Sequence, residues 1–189
     1  MATRDRRRRP PELVAATEQP VRLDGRARSV RPRPAPRAAR LLAEAGPGVS
    51  TESQGRRVML NIEDLSADLN PGVVYGVYLN LPRNWTERDR NHHHVGNVTV
   101  FGIEAMNDPD PTHDHVAGMR HTFDITRKLR VLERSGRVRS RDDLDVTFLL
   151  ELPVPPPGYR GNPDFVLAEF YDNARSRPIR VGRVSVFVD

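Results

Sequence analysis

From Arg56 onward, apolar side chains recur at about every second position in short runs, and turn residues separate the runs. A period of two puts alternate side chains on opposite faces of an extended chain, so each run must bury one face against a second layer. The pattern predicts strands near 57–63 (RVMLNIE), 73–80 (VVYGVYLN), 95–104 (VGNVTVFGIE), 119–124 (MRHTFD), 144–151 (LDVTFLLE), 164–170 (DFVLAEF) and 179–188 (IRVGRVSVFV). In the second run Val73, Tyr75, Val77 and Leu79 share one face, with the tyrosines placed for hydroxyl pairing. Glycines 76, 96 and 182 fall inside strand patterns and predict bulges or close backbone approach. One run has helical spacing instead: ITRKLRVLERSG carries Ile125, Leu129 and Leu132 on one stripe, with Asp124 or Thr126 as N-cap and Gly136 as its stop. About seven strands, one short helix and no βαβ alternation imply an all-β fold, an antiparallel β-sandwich.

Residues 1–55 have a different character. The prolines of RRPPE, EQP, RPRPAPR and AGPG, with twelve Arg against six acids, give a segment that buries too little apolar surface to offset its ordering entropy. We expect it to be a largely irregular tail or linker, with the sandwich spanning 56–189. ELVAATEQPVRL is the piece suited to an extended strand on a neighbouring surface, and APRAARLLAEAG is suited to a short helix. The rest of the chain holds 18 basic residues against 19 acids, so the formal charge of +5 belongs to the tail. Of 30 basic residues only Lys128 is lysine, a coding bias more than a partner's demand for charge. The RRRR run at 6–9 has no interleaved aromatics, and no nucleic-acid partner is expected. Cysteine is absent, which excludes disulfides and thiolate chemistry. PPELVAATEQP stands where a signal peptide would need its apolar stretch, and no segment is long enough to span a bilayer, so a soluble, cytoplasmic chain without a membrane partner is expected.

The residues offer little catalytic chemistry: there is no GxSxG, Walker loop, HExxH or dinucleotide fingerprint. The acidic runs DPDPTHD (108–114) and RDDLD (141–145) lack the ligand order of a calcium loop and read as solvated turns. The six histidines match in number what two coppers would need at three imidazoles each. A helical cage requires pairs at i and i+4, however, and no HxxxH occurs. His92 with His94, and His113 with His115, could supply four imidazoles if their two loops met. The favoured reading makes the triplet 92–94 a solvated loop leading into strand 95–104, whose alternation puts Val95, Val98, Val100 and Phe101 near or in the core.

Taken in order, NPGVVYGVYLNLP (70–82), HVGNVTVFGIEA (94–105), FDITRKLRVL (123–132), LDVTFLLE (144–151) and PIRVGRVSVFVD (178–189) resemble the C-terminal domain of tyrosinases and plant-type polyphenol oxidases. That family has a comparable YxVYxNLP strand, FxIT helix, VTxxP strand and final IGxVxxxF strand. The resemblance covers roughly 58–189 and, weakly, 12–30. It implies a non-catalytic β-sandwich that packs on a dicopper bundle and covers the entrance to its active site. In some latent enzymes of that family one side chain of this domain occupies the substrate pocket. No such blocking residue is matched here; the loops 82–93 and 153–163 offer Trp85 and Tyr159. The copper-binding bundle is missing from this sequence. The resemblance therefore implies no cofactor on this chain, no reaction of its own, and a tyrosinase-like copper-binding domain or subunit as partner. Two other readings are a small copper-handling protein using the loop histidines and an independent sandwich that binds carbohydrate or peptide.

Overall fold

The computed structural model describes residues 10–35, 56–103, 118–136, 144–154 and 160–189. These form two antiparallel sheets packed face to face. In chain order the elements are β1 (Glu12–Ala16), β2 (Val21–Leu23), β3 (Arg28–Val30), β4 (Arg33–Pro34), β5 (Val58–Ser66), β6 (Val74–Leu79), α1 (Glu87–His93), β7 (His94–Val98), β8 (Met119–Asp124), α2 (Thr126–Arg134), β9 (Val146–Glu151), α3 (Pro163–Ser176) and β10 (Ile179–Val188). The larger sheet runs β4-β1-β10-β5-β8, with β2 also on β10; the smaller runs β3-β9-β6-β7.

The inward faces follow the period of two. Tyr75, Val77 and Leu79 of β6 are fully buried and oppose Val184, Val186 and Val188 of β10 in one continuous core with Leu60, Ile62 and Phe148. Each such burial contributes about 1.5–3 kcal/mol. The period breaks on two adjacent strands at the same level. Buried positions run 58, 60, 62 and then 65 on β5, and 188, 186, 184 and then 181 on β10. The cause is Asp64, an extra residue relative to β8, which adopts φ +55° and turns the strand over. Gly182 lies against it: a Cβ there would stand 2.6 Å from the Asp64 Cβ, so β10 can pass only without a side chain.

The sandwich is as expected from the pattern, and five predicted strands appear close to their predicted limits. Three local expectations are corrected. Residues 164–170 are helix, because Asn162 accepts the Asp164 amide at 2.9 Å, Pro163 opens the first turn, and Ala174 is the single fully packed position one face supplies. The run 95–104 is strand only to Val98; Phe101 is 85% exposed in a turn, although Val98 and Val100 are buried. Three helices are present among the described residues where one was expected.

The N-terminal segment differs too. Residues 12–34 contribute four strands, where a largely irregular tail was expected. β1 and β2 both add to β10, and β3 adds to β9, so the segment reaches both sheets. Its prolines do not prevent this. Pro20 precedes β2, and Pro34 sits on the edge strand β4, where a missing N–H breaks no ladder. The helix expected near APRAARLLAEAG lies outside the described residues, as do the runs 6–9 and 108–114. No helix among the described residues is long and apolar enough to cross a membrane.

Candidate functional site

The outer face of the smaller sheet carries the most organised polar cluster of the described residues. On β6 the residues that alternate with the core-facing ones, Gly76 and Tyr78, lie on the other side of the sheet, where Tyr78 is itself buried, and β9 sets Glu151 on the same side through the pairing of Val74 with Glu151. The chain then leaves β6 through Leu81 and Pro82 and enters α1. Thr86 accepts the Asp89 amide at 3.3 Å while Asp89 accepts the Thr86 amide at 3.0 Å, a reciprocal cap that fixes where the helix begins. One turn later the helix delivers Arg90 over the sheet.

Arg90 binds Glu151 Oε2 through Nη2 at 2.6 Å and donates to the Tyr78 hydroxyl from Nε and Nη2 at 3.3 and 3.2 Å. The Tyr78 hydroxyl in turn donates to Glu151 Oε1 in a short hydrogen bond. The guanidinium lies 5.5 Å from the Trp85 ring centre and 5.9 Å from that of Tyr78, so it is in cation–π contact as well as paired. Burial raises the Tyr78 phenol above its ordinary value, Glu151 raises it further, and Arg90 only partly opposes them. Desolvation opposes the charge on Arg90, but Tyr78 and Glu151 outweigh it and hold the guanidinium above its usual range. Gly76 makes the arrangement possible: a Cβ there would meet the Glu151 carboxylate and stand 2.7 Å from the Tyr78 ring.

Beside this pad runs a groove of about 430 Å3 between the α1 entry, the end of β9 and α3. Its rim is apolar and exposed, with Trp85 at 40%, Leu152 at 37%, Val154 at 89% and Tyr171 at 48%. An arginine pinned by two partners beside two aromatic rings thus lies next to exposed aliphatic side chains.

The histidines are dispersed. His92 and His93 belong to α1 and His94 opens β7, so the triplet is not a solvated loop: the Thr86 cap starts a helix that carries it. His93 is fully buried, with Nδ1 2.6 Å from the Leu79 carbonyl oxygen. His92 Nε2 is buried without a partner, and the Lys128 amine, its pKa lowered by burial, donates to the His92 carbonyl at 2.8 Å. His94 pairs with Asn97 at 2.8 Å, and His121 with the Thr99 carbonyl at 2.8 Å. His92 and His94 do share the wall of one cavity of about 380 Å3. His113, His115 and Tyr159 lie outside the described residues. Among the described residues no group of three or more His, Cys, Asp or Glu could hold a metal ion. Trp85, one of the two aromatic candidates, does stand exposed at the groove. No sequence motif marks Arg90 or Glu151; the TERD run at 86–89 is the available signal for the helix that places Arg90.

The fold and site together define a two-layer antiparallel β-sandwich with an aromatic and aliphatic groove on one sheet. The family model described as a domain of unknown function (DUF7868) matches residues 10–156, and the chain belongs to that family. No curated protein matches. Among solved structures, a recombinantly expressed latent aurone synthase (polyphenol oxidase) is similar at 17% identity and a TM-score of 0.47 over 92% of this chain and 26% of that one. A latent aurone synthase (polyphenol oxidase) from natural source is similar at 16% identity and 0.47, over 91% and 26%. The chain thus spans about a quarter of the length of these structures.

Proposed function

We propose that this protein is a non-catalytic docking sandwich of the tyrosinase and polyphenol oxidase kind, which covers a copper-bearing catalytic domain supplied outside these residues. The observation that carries the reading is the groove beside the Tyr78–Arg90–Glu151 pad. Trp85, Leu152, Val154 and Tyr171 expose apolar surface around a charge pair already satisfied within the chain, so a partner can cover it without stranding a buried ion. The motifs of the resemblance support it, because YGVYLNLP, FDIT, LDVTFLLE and VGRVSVF fall on β6, the β8–α2 junction, β9 and β10, the elements that build the groove's sheet and its backing. Copper is the partner's in this reading, and no reaction step is assigned to this chain.

The test mixes the purified protein with a type-3 copper catalytic domain that lacks its own C-terminal sandwich, then measures co-elution and diphenol oxidation. Association should lower the rate, and the double variant Trp85→Ser, Val154→Asp should restore it while keeping the fold. Absence of co-elution together with an unchanged rate defeats the proposal.

A further inference from the structure

At the open edge of the sandwich, β2 of the larger sheet faces β3 of the smaller one across a crevice of about 500 Å3. Four arginines line it, Arg22, Arg28, Arg31 and Arg33, against a single acid, Glu18. Their hydrogen-bonding capacity is unevenly used. Arg31 commits Nε and Nη2 to Asp145 at 3.0 and 2.9 Å and contributes charge alone. Arg33 directs Nη1 to Glu18 Oε1 at 2.9 Å, so the wall's acidic charge is offset within the chain. Arg28 reaches Asp24 with Nη2 at 2.9 Å, but its Nε is buried with no acceptor. Among the described residues Arg22 has no ion-pair partner. Thr17 accepts the Val184 amide at 3.0 Å, which leaves its own O–H free to donate. The wall is therefore rich in cationic donors, and an oxyanion that enters it gains charge-assisted hydrogen bonds. Pro20, Val21 and Val30 add an apolar stretch beside these donors.

We propose that this crevice binds a small ligand with an oxyanion head, phosphate or carboxylate, carried on an apolar body. Arg22 takes the head as a fork donor, Arg28 adds its charge beside it, and Pro20, Val21 and Val30 cover the body. The site lies apart from the groove of Trp85 and stands or falls independently of the docking reading.

Calorimetry at constant ionic strength tests it with phenyl phosphate, benzoate and phenol. Either anion should bind saturably at one site per chain, their ratio showing which head is preferred, and neutral phenol should not. Arg22→Gln with Arg28→Gln should weaken binding at least about tenfold, the loss expected for charge-assisted hydrogen bonds. Arg22→Gln alone, at an exposed position, should weaken it by at least about threefold and serves if the pair misfolds. Arg183→Gln, on the outer face of the larger sheet, should leave affinity within about twofold. Absence of saturable binding by both anions, undiminished affinity in the Arg22 variants, or an equal loss in Arg183→Gln would overturn the proposal.

Discussion

Gly76 fixes how near Glu151 and Tyr78 can come to the sheet. In Gly76→Ala the new methyl has to displace the Glu151 carboxylate or the Tyr78 ring, and with it the hydrogen bonds to Arg90. Overpacking of this kind costs about 1–3 kcal/mol. Urea unfolding of Gly76→Ala should show a loss of about 2 kcal/mol, and the loss should shrink in a Glu151→Ala background, where one of the two obstacles is gone. The same loss in both backgrounds would separate the glycine from the pad. The tyrosines make a second prediction. Burial raises the Tyr75 phenol, with Gly25 N–H donating to it at 2.8 Å and only partly opposing the rise, and burial and Glu151 raise that of Tyr78. Both groups hold their protons more tightly folded than unfolded, where a phenol titrates near 10. Their stabilising contribution is complete below about pH 10 and is lost as pH rises through the folded values. The urea midpoint should therefore fall steeply above about pH 10, and Tyr75→Phe with Tyr78→Phe should flatten that fall at the expense of stability at neutral pH.

At the scale of elements, α3 is lightly held. Among its described residues Ala174 alone is fully buried, set against the turn at Gly25, where a Cβ would come within 3.3 Å of the Ala174 Cβ. Phe165 and Tyr171 are exposed, and Val166, Leu167 and Phe170 are only partly covered. Ala174→Arg should release this helix without unfolding the sheets. Hydrogen exchange of the 163–176 amides should rise at least about tenfold while those of β5 and β10 keep their protection; matching increases in both would mean that α3 is part of the cooperative core. The same helix shows where sequence reading has its limit. β8 falls on its predicted ends because its alternation is unbroken, and β10 does so because apolar residues recur along its whole length even though the period slips once beside Asp64. DFVLAEF has adjacent apolar residues that suit a buried strand or a helix equally, and the deciding signal lay before it, in the Asn162–Pro163–Asp164 start. The α2 stripe of Ile125, Leu129 and Leu132 was legible for the opposite reason: its spacing suits a helix alone. The pad was not legible, since Arg90 meets a carboxylate 61 positions away and nothing local encodes that meeting.

At the scale of the whole molecule, residues 10–35 supply strands to both sheets, and the sandwich should depend on them to close. A chain of alternating strands from residue 56 onward looks sufficient by pattern, because local periodicity reports which face is buried and not which neighbour buries it. The structure gives β10 its second neighbours from β1 and β2, and gives β9 its outer partner from β3. Val14 and Leu23 are fully buried and Val21 nearly so, worth together about 5–9 kcal/mol at about 1.5–3 kcal/mol each. That is on the order of the entire net stability of a small domain, about 5–15 kcal/mol. Loss of the segment also strips Gly25 from the Tyr75 hydroxyl, Arg31 from Asp145 and Glu12 from Arg56. A chain beginning at residue 36 should therefore lack a cooperative thermal transition and bind a dye specific for exposed apolar surface. Adding a peptide of residues 10–35 in trans should restore part of the transition, because the strands it supplies dock on edges that β10 and β9 still present. A shortened chain that melted cooperatively within a few degrees of the intact protein would show instead that the two sheets close without those strands, and that the segment is an appendage.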